Sequence, residues 1–263
     1  MLKILKKIER KTAYKMFQIK MIHFMSRIWS KEFRLQSDDK VLIISPHPDD
    51  EVIGCAGLIQ KALKQQNEVY VLMLTRGEAV LDSSQIDKDV LIAKRKEFIL
   101  TAAHIMGLPH DHYIYFEWGD GKLSETTNNQ TNQYELAQII DTIKPQIIFL
   151  PHPFEVSEDH SAINETLSKS LKTIDHKIKI FYYLVHSMRF LREFIPSWRK
   201  SHTLSLNKEE YQIKRQALDA YIKPLTPFGK PYSGGFAPSL LYHMKWDKEL
   251  FFEADESFFH LKK

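Results

Sequence analysis

The most informative part of this chain, for both its fold and its chemistry, is the stretch Val41-Leu42-Ile43-Ile44-Ser45-Pro46-His47-Pro48-Asp49-Asp50-Glu51. Its first four residues form an apolar run that is typical of a buried strand. One histidine and three carboxylates follow at once, among prolines that cannot continue a ladder. In open α/β sheets, ligands bind at this end of the strands. Three successive acids are too costly to bury without water or a cation, so the stretch predicts a polar site at the strand end.

A second apolar strand, 146–150, leads into another loop, which ends in Asp159 and His160. Residues 161–172 are predicted to form a helix, so His160 lies at a loop-to-helix junction. One imidazole and one carboxylate from the first loop supply half of a zinc site, and a catalytic zinc takes three protein ligands. His160 is the predicted remaining ligand, with Asp159 beside it as its predicted hydrogen-bond partner.

The sequence PHPDDE after the first strand, with an Asp-His pair after a later strand, resembles the PIG-L/LmbE family of zinc-dependent N-deacetylases. The resemblance covers residues 38–165 well and the remaining residues loosely. Further segments resemble the small-residue helix start, the second strand tip, the arginine-bearing helix and the acidic substrate loop of that family: 52–57, 74–78, 95–107 and 118–123.

The resemblance implies a role for each site residue. His47, Asp50 and His160 would bind Zn²⁺. Asp49 would be the general base toward the attacking water and would pass its proton to the leaving amine. Arg95 and Asp120 would hold sugar hydroxyls, so the implied substrate is an N-acetylated sugar or glycoconjugate.

One position departs from the family pattern. Many members carry a histidine, thought to assist at the oxyanion, three residues before the zinc-binding histidine; here that residue is Ser157. A hydroxyl donates a hydrogen bond but cannot be a cation. Either His152, His186 or another group does that work, or the activity is weaker, or the substrate differs.

Each of these residues also has a purely structural interpretation. Acids at a helix start are favoured by the helix dipole. Arg95 lies in a charged helix and would then belong to a solvated face. Asp120, between two glycines, would be an ordinary turn residue. Cys55 is interpreted as a small buried residue, and His186 as structural.

Positive charge is concentrated near the N-terminus. Residues 1–35 hold ten Lys or Arg and two Glu, a net charge of +8, whereas the whole chain carries +4. Two apolar stripes, one at 4–8 and one at 14–28, are rotated about the axis and predict two helices or a bend. Apolar stripes with lysines are typical of a helix at a membrane surface. The alternative is a helix packed on the domain or on a second subunit. Nucleic acid is not an expected partner, because the rest of the chain is acidic.

Alternating strands and helices predict an α/β, Rossmann-like three-layer fold with a mainly parallel sheet and an N-terminal helical extension. We divide the chain into a basic amphipathic helical segment, 1–36, and a deacetylase-like domain, 37–263. Strands are predicted near 40–46, 68–75, 112–116, 146–151 and 178–184, and helices near 54–66, 85–106, 133–143, 160–173 and 208–222. Beyond residue 185 the pattern is poor, and the loop 224–235 is either a lid over a sugar or a crossing linker.

Two functions of different classes follow. The first is a zinc hydrolase that deacetylates an N-acetylated amino sugar, lipid-linked or part of an envelope glycan. The second is a noncatalytic carbohydrate- or metal-binding protein on the same fold, which needs the metal ligands but not Asp49. With one cysteine and no run of roughly 18 apolar residues, we expect a cytoplasmic protein. It would lie at the inner face of the membrane if residues 1–36 bind lipid.

Overall fold

One eight-stranded sheet, in the order β1-β7-β8-β6-β5-β2-β3-β4, organises the chain. The computed structural model describes residues 2–80, 86–186, 188 and 195–255, with the side chains of all of these except 2–9 and 195–197. The strands are β1 (Lys31–Glu32), β2 (Lys40–Ser45), β3 (Glu68–Thr75), β4 (Tyr113–Trp118), β5 (Ile147–Pro151), β6 (Lys179–Tyr183), β7 (Ser201–Ser205) and β8 (Lys248–Glu253). All neighbouring pairs are parallel except those of β8 with β6 and β7, which confirms the mainly parallel sheet.

Helices cover both faces of the sheet. They are α1 (Leu2–Trp29), α2 (Asp50–Lys64), α3 (Lys88–Met106), α4 (Gln130–Ile143), α5 (Glu158–Ser170), α6 (Lys208–Ile222) and α7 (Pro238–Met244). The five predicted strands and the helices from α2 to α6 are present. The predicted start of α2 was four residues late, because Asp50 and Glu51 already lie in its first turn, where the helix dipole favours acids.

The side chains of β2 alternate between two apolar cores. Val41 and Ile43 lie in the core under α2, α3 and α6, whereas Leu42 and Ile44 lie in the core under α1, α4 and α5. Strands buried on both faces read as continuous apolar runs, which is why β2 was recognisable from its sequence.

The chain reverses its direction across the sheet between β2 and β5. From β2 the order runs outward through β3 to β4, and from β5 it runs the other way to β6. Strand β2 pairs in parallel with β5, with Ile43 opposite Phe149. Their carboxyl ends therefore meet at a topological switch point, where open α/β sheets bind ligands. The two histidine loops, 46–51 and 152–160, leave the sheet there.

Residues 2–29 form one continuous helix, so the first of the two alternatives predicted for the N-terminus, two separate helices, is wrong. The side chains of residues 4–8, which formed the first predicted stripe, lie outside those that the structure describes. Further along α1, Ile19 and Ile22 are buried in the core, while Phe17 and Phe24 on the other side are exposed. The helix thus carries two apolar faces, one of which packs on the domain. Among the described residues, no helix combines the length and apolar character needed to cross a membrane.

A buried histidine pair joins α1 to α7, and it should make the fold sensitive to acid. His23 Nε2 lies 3.0 Å from His243 Nδ1. Burial and the charge of Arg27 lower the pKa of His23 to about 4, and burial lowers the pKa of His243 to about 3. Unfolded histidines titrate near 6.5. Below that pH the unfolded chain binds more protons than the folded chain, so stability falls as the pH falls toward the folded pKa values.

We expect His23 alone to remove about 2 kcal/mol of unfolding free energy between about pH 7 and about pH 5. Urea denaturation at the two pH values measures this loss. His23→Gln should show a smaller loss, whereas His104→Gln, a change at an exposed position, should behave like the unmodified chain. An equal pH dependence in all three proteins would contradict the assignment to this pair.

A buried ion pair supports the helix that begins the site. Lys214 Nζ of α6 lies 2.8 Å from Glu249 Oε1 of β8 and donates to the Ile53 carbonyl at 3.0 Å. Glu249 accepts the backbone N–H groups of Gly57 and Leu58 at 2.7 and 2.9 Å. Both charged side chains are almost fully buried. The pair therefore ties the middle of α2 to α6 and β8.

Candidate metal centre

The site is a cleft of about 290 Å³ at the carboxyl edge of the sheet. Its floor is formed by residues 47–53 at the end of β2 and the start of α2. One wall comes from the loop after β3, and the other comes from Val185 and His186 after β6. Ser233, Gly235 and Phe236 of the loop between α6 and α7 also line the cleft, a position that both a lid and a crossing linker could have.

His47, Asp50 and His160 converge on one point. Their ligand atoms lie within 4.8 Å of one another. Asp50 Oδ2 is 3.1 Å from His47 Nδ1 and 3.2 Å from His160 Nε2. Asp50 and His160 are buried, while His47 is half-buried and faces the cleft. Two imidazole nitrogens and a carboxylate oxygen are a donor set that divalent zinc takes in catalytic sites.

A carboxylate on the outer nitrogen orients each histidine. His47 Nε2 lies 3.0 Å from Asp159 Oδ2, and His160 Nδ1 lies 2.6 Å from Glu155 Oε2. With its outer N–H donated in this way, each ring directs a lone pair toward Asp50. Metal-binding histidines in proteins are oriented by the same device.

The partner of His160 differs from the predicted one. Asp159 was expected beside His160, but it contacts His47 and accepts the N–H groups of Gly121 and Leu123. The side chain of Asp159, in the first turn of α5, reaches across to the neighbouring loop, whereas Glu155 reaches back under His160. Glu155 was not singled out from the sequence, although its place five residues before a candidate ligand was a usable signal.

The electrostatics of the site favour a bound cation. Burial lowers the pKa of His47, but hydrogen bonds to Asp159 and Asp50 outweigh burial and raise it well above its usual value. Burial also lowers the pKa of His160, while the nearby Asp50 carboxylate and the hydrogen bond to Glu155 raise it to about 9. The clustered carboxylates thus draw positive charge onto both rings, and a divalent cation would supply that charge instead of two protons.

One buried nitrogen without a hydrogen-bond partner indicates where such a cation would bind. His160 Nε2 is buried and has no hydrogen-bond partner, although Asp50 is near. A buried polar nitrogen without a partner is costly. A metal ion held by His47, Asp50 and His160 would satisfy it, so the residues of the trio fit the metal that their spacing predicts.

Asp49 stands beside the trio in a strained backbone conformation. Its φ angle is 128°, which residues other than glycine rarely adopt. Glu51 Oε2 accepts the Asp49 N–H at 3.2 Å, and Arg95 holds the preceding carbonyl, that of Pro48, at 2.7 Å. Strain of this kind persists where the surrounding structure over-determines it, and it clusters at active sites. Burial and the charge of Asp50 raise the pKa of Asp49 to about 8, which suits a group that must accept a proton near neutral pH.

Arg95 is not part of a solvated face. It is 2% exposed, and two of its guanidinium nitrogens, Nε and Nη1, are buried without hydrogen-bond partners. The group lines the cleft against Gly77. A Cβ at Gly77 would lie 2.2 Å from Arg95 Nε, and the φ angle there is +69°, so glycine is required. The guanidinium thus has unused donors at the wall of the cleft.

Asp120 also lines the cleft, opposite Arg95. Its Oδ2 accepts the N–H of Ala79 at 2.6 Å, and its Oδ1 lies 3.4 Å from His47 Nε2. It therefore ties the loop after β3 to the loop after β4, as a turn residue would, while its carboxylate also faces the candidate metal ligand. Both interpretations of this residue are compatible with its position.

Two cleft residues were missed or undervalued from the sequence. His186, interpreted as structural, lines the cleft, and its ring is stacked on His160 with 5.3 Å between centroids. Ser233 lines the cleft as well, and its hydroxyl oxygen is buried without a hydrogen-bond partner. No local pattern marks either residue, since each is brought to the site by a loop after residue 185.

The remaining candidates lie elsewhere. Ser157 caps the start of α5 without a side-chain cap bond and is not among the described residues that line the cleft. His152 packs against Tyr182 and Phe252 and is likewise outside that lining. Cys55 is fully buried, and burial raises the pKa of its thiol well above the usual value, as expected of a core residue.

Comparison with known proteins finds a family whose sequence pattern matches the part of the chain that carries this site. Residues 42–171 match PIG-L, described as GlcNAc-PI de-N-acetylase. The diacetylchitobiose deacetylase of Thermococcus kodakarensis is 32% identical over 121 residues, 46% of this chain and 43% of that protein. A probable N-acetyl-alpha-D-glucosaminyl L-malate deacetylase 2 of Bacillus anthracis is 25% identical over 192 residues, 71% of this chain and 82% of that protein. The match thus spans less than half of the Thermococcus relative.

A solved structure shows the same fold. The N,N'-diacetylchitobiose deacetylase of Pyrococcus horikoshii superposes with a TM-score of 0.54 at 20% identity, over 72% of this chain and 73% of that one. At this level of identity, the likeness extends to the architecture of the sheet and its helices.

Proposed function

We propose, from the match of residues 42–171 to the PIG-L family, that this chain is a zinc-dependent hydrolase that removes the N-acetyl group of an N-acetylated amino sugar. The observation that carries the proposal is the convergence of His47, Asp50 and His160 on one point, with the unused donors of Arg95 across the same cleft. The relatives named above are deacetylases of N-acetylated sugars by their own descriptions.

Asp49 is the proton carrier in this proposal. A divalent metal on His47, Asp50 and His160 supplies Lewis-acid activation of water and of an amide carbonyl. The Asp49 carboxylate takes the proton that the attacking water loses and delivers it to the nitrogen of the departing amine. Its fixed, strained backbone keeps this side chain at the site, and its raised pKa makes the carboxylate a stronger base toward water than an ordinary aspartate.

Substrate hydroxyls are held by the orphaned donors. Arg95 Nε and Nη1 and the Ser233 hydroxyl are buried and lack partners in the described chain. A bound sugar would satisfy them, because buried polar groups in folded proteins are almost always hydrogen-bonded. The Asp120 carboxylate, which also lines the cleft, accepts hydrogen bonds from sugar hydroxyls. An N-acetyl group that points at the trio then leaves the rest of the sugar under the loop that carries Ser233.

His186 takes the place of the histidine that Ser157 does not supply. It is the cleft histidine outside the trio among the described lining residues, and it is stacked on His160. Burial, together with the charge of His160, lowers the pKa of His186 to about 3, so it acts as a neutral hydrogen-bond donor to the developing oxyanion. This role of His186 leaves the proposed substrate unchanged: an N-acetylated amino sugar that is lipid-linked or part of an envelope glycan.

The deciding experiment is amine release from a panel of N-acetylglucosamine conjugates, soluble and lipid-linked, together with metal analysis of the purified chain. We expect one divalent metal per chain, and a loss of at least about 100-fold in rate on chelation because the metal supplies several kcal/mol of charge stabilisation. Added Zn²⁺ should restore the rate; iron in the purified protein would place a different metal at the same ligands.

Two outcomes would contradict the proposal. Folded protein that takes up no metal after zinc reconstitution would remove its basis. Metal-loaded protein that binds the conjugates but releases no amine would favour the noncatalytic carbohydrate-binding alternative.

A further inference from the structure

The exposed side of α1 carries an apolar stripe that the domain does not cover. Tyr14, Phe17, Phe24 and Ile28 are each between 51% and 59% exposed. Their spacing, with half-buried Met21 between them, alternates between three and four residues and places them on one helix face. Single exposed apolar side chains are ordinary, but a continuous row over about four turns marks an interaction surface.

The segment that carries this stripe is rich in positive charge. Between residues 10 and 31 the chain holds six cations and no Asp or Glu: Arg10, Lys11, Lys15, Lys20, Arg27 and Lys31. Trp29, at the end of α1, is 52% exposed. An interfacial helix has this composition, with aromatic and apolar residues on one face and cations along its border.

A cavity of about 290 Å³ lies beside the stripe, between α1 and α7. Lys20, Arg27 and Lys245 line it together with the rings of Phe24 and Tyr242, and its described lining contains no carboxylate. Lys20 Nζ lies 5.7 Å from the centroid of the Tyr242 ring. Three convergent cations on an aromatic rim are suited to a phosphate group attached to an apolar body.

The distribution of charge indicates what binds to the exposed face of α1. The spacing of the stripe would also suit pairing with α1 of a second copy. Pairing would bring Lys20 and Arg27, which line the cavity beside Phe24, toward the cations of the other copy, with no carboxylate between residues 10 and 31 to offset them, and like charges across an interface cost several kcal/mol. An anionic bilayer satisfies both features at once, because its headgroups attract the cations and its acyl boundary takes the rings.

We propose that the exposed face of α1 and the adjoining cavity against α7 form a surface that binds anionic lipid bilayers, with a lipid headgroup phosphate held by Lys20, Arg27 and Lys245. The short helix α7 lines both this cavity, through Tyr242, and the cleft of the candidate metal centre, through Leu240. A bilayer on this surface therefore lies one helix away from the cleft. Only that last consequence rests on the proposed deacetylase function.

Flotation of the whole chain with vesicles tests the surface. We expect binding to vesicles of phosphatidylcholine mixed with phosphatidylglycerol, little binding to phosphatidylcholine alone, and release at high ionic strength. Lys20→Gln/Arg27→Gln/Lys245→Gln should lower the partition coefficient roughly 100-fold, since each cation near an anionic surface contributes about 1 kcal/mol. The matched control, Lys172→Gln/Lys177→Gln/Lys179→Gln, removes the same charge at exposed positions near the start of β6 and should float like the unmodified chain.

A second variant separates the apolar contribution. Phe17→Ser/Phe24→Ser changes two side chains that are more than half exposed, so the fold should be retained. We expect roughly tenfold weaker partition per ring, with the dependence on salt unchanged. Truncation of residues 1–36 is not a usable substitute, because it would remove Ile19, Ile22 and Phe33 from the core.

Three results would overturn the proposal. They are equal binding to neutral vesicles, an equal loss in the control triple variant, and a dimer in sedimentation that Phe17→Ser/Phe24→Ser dissociates, which would assign the stripe to a second copy. Amine release from a soluble conjugate should be unchanged in the Lys20/Arg27/Lys245 variant. Vesicle binding is measured without substrate, so its failure and a failure of the deacetylase proposal are distinguishable.

Discussion

Asp49→Asn is expected to lower amine release by roughly 10²–10⁴-fold, the usual cost of losing a general base, while metal content and folding remain. The amide has nearly the shape of the carboxylate but cannot accept a proton. Asparagine also tolerates the positive φ angle of this position better than most residues. The variant should therefore keep the geometry of the loop and lose only its chemistry.

Asp50→Asn is the matched control one residue away. Asp50 Oδ2 is the atom shared by His47 and His160, so this change should release the metal, whereas Asp49→Asn should not. Metal analysis and single-turnover amine release on both variants separate the two roles. A rate near that of the unmodified chain in Asp49→Asn, or loss of metal from it, would contradict the assignment of Asp49 as proton carrier.

Lys214→Met is expected to cost about 3–5 kcal/mol of unfolding free energy, because it leaves a buried carboxylate without its counter-charge. Lys214 Nζ is 2.8 Å from Glu249 Oε1, and both side chains are almost fully buried. The methionine side chain fills a similar volume, so the loss reports charge and not a cavity. Urea denaturation near neutral pH measures it.

Two companions make this prediction specific. Lys223→Met removes an exposed cation that lies 2.8 Å from the half-buried Asp219, and it should change stability by less than about 1 kcal/mol. Lys214→Met/Glu249→Leu removes both buried charges and should recover a large part of the loss. A single Lys214→Met variant as stable as the unmodified chain would mean that Glu249 is neutral or hydrated in the folded protein.

The link between this pair and the site is α2. Glu249 and Lys214 hold backbone groups of Ile53, Gly57 and Leu58, and the same helix begins at Asp50. We therefore expect a weakened pair to reduce metal affinity as well as stability, through a displaced Asp50.

The features that could be predicted from the sequence are those formed by residues that lie close together in the chain. A doubly buried strand reads as a continuous apolar run, as β2 does, and a helix reads through its 3.6-residue period. The polar residues that follow β2 and β5 could be predicted to lie close together, because the carboxyl ends of parallel strands meet at one edge of the sheet. The convergence of His47, Asp50 and His160 and the parallel part of the sheet were predictable for this reason.

Features that depend on contacts between segments far apart in the sequence could be seen only in the folded structure. Strand β8 enters the sheet between β6 and β7 in antiparallel direction, and its buried Glu249 gives it no clean apolar pattern. Asp159 is adjacent to His160 in the sequence and Glu155 is five residues before it, yet Glu155 contacts His160 whereas Asp159 contacts His47. The two apolar faces of α1 look alike in the sequence, but one is in the core and the other is exposed. Local spacing fixes which way a side chain leaves its own helix or strand, whereas packing of remote segments fixes what it meets.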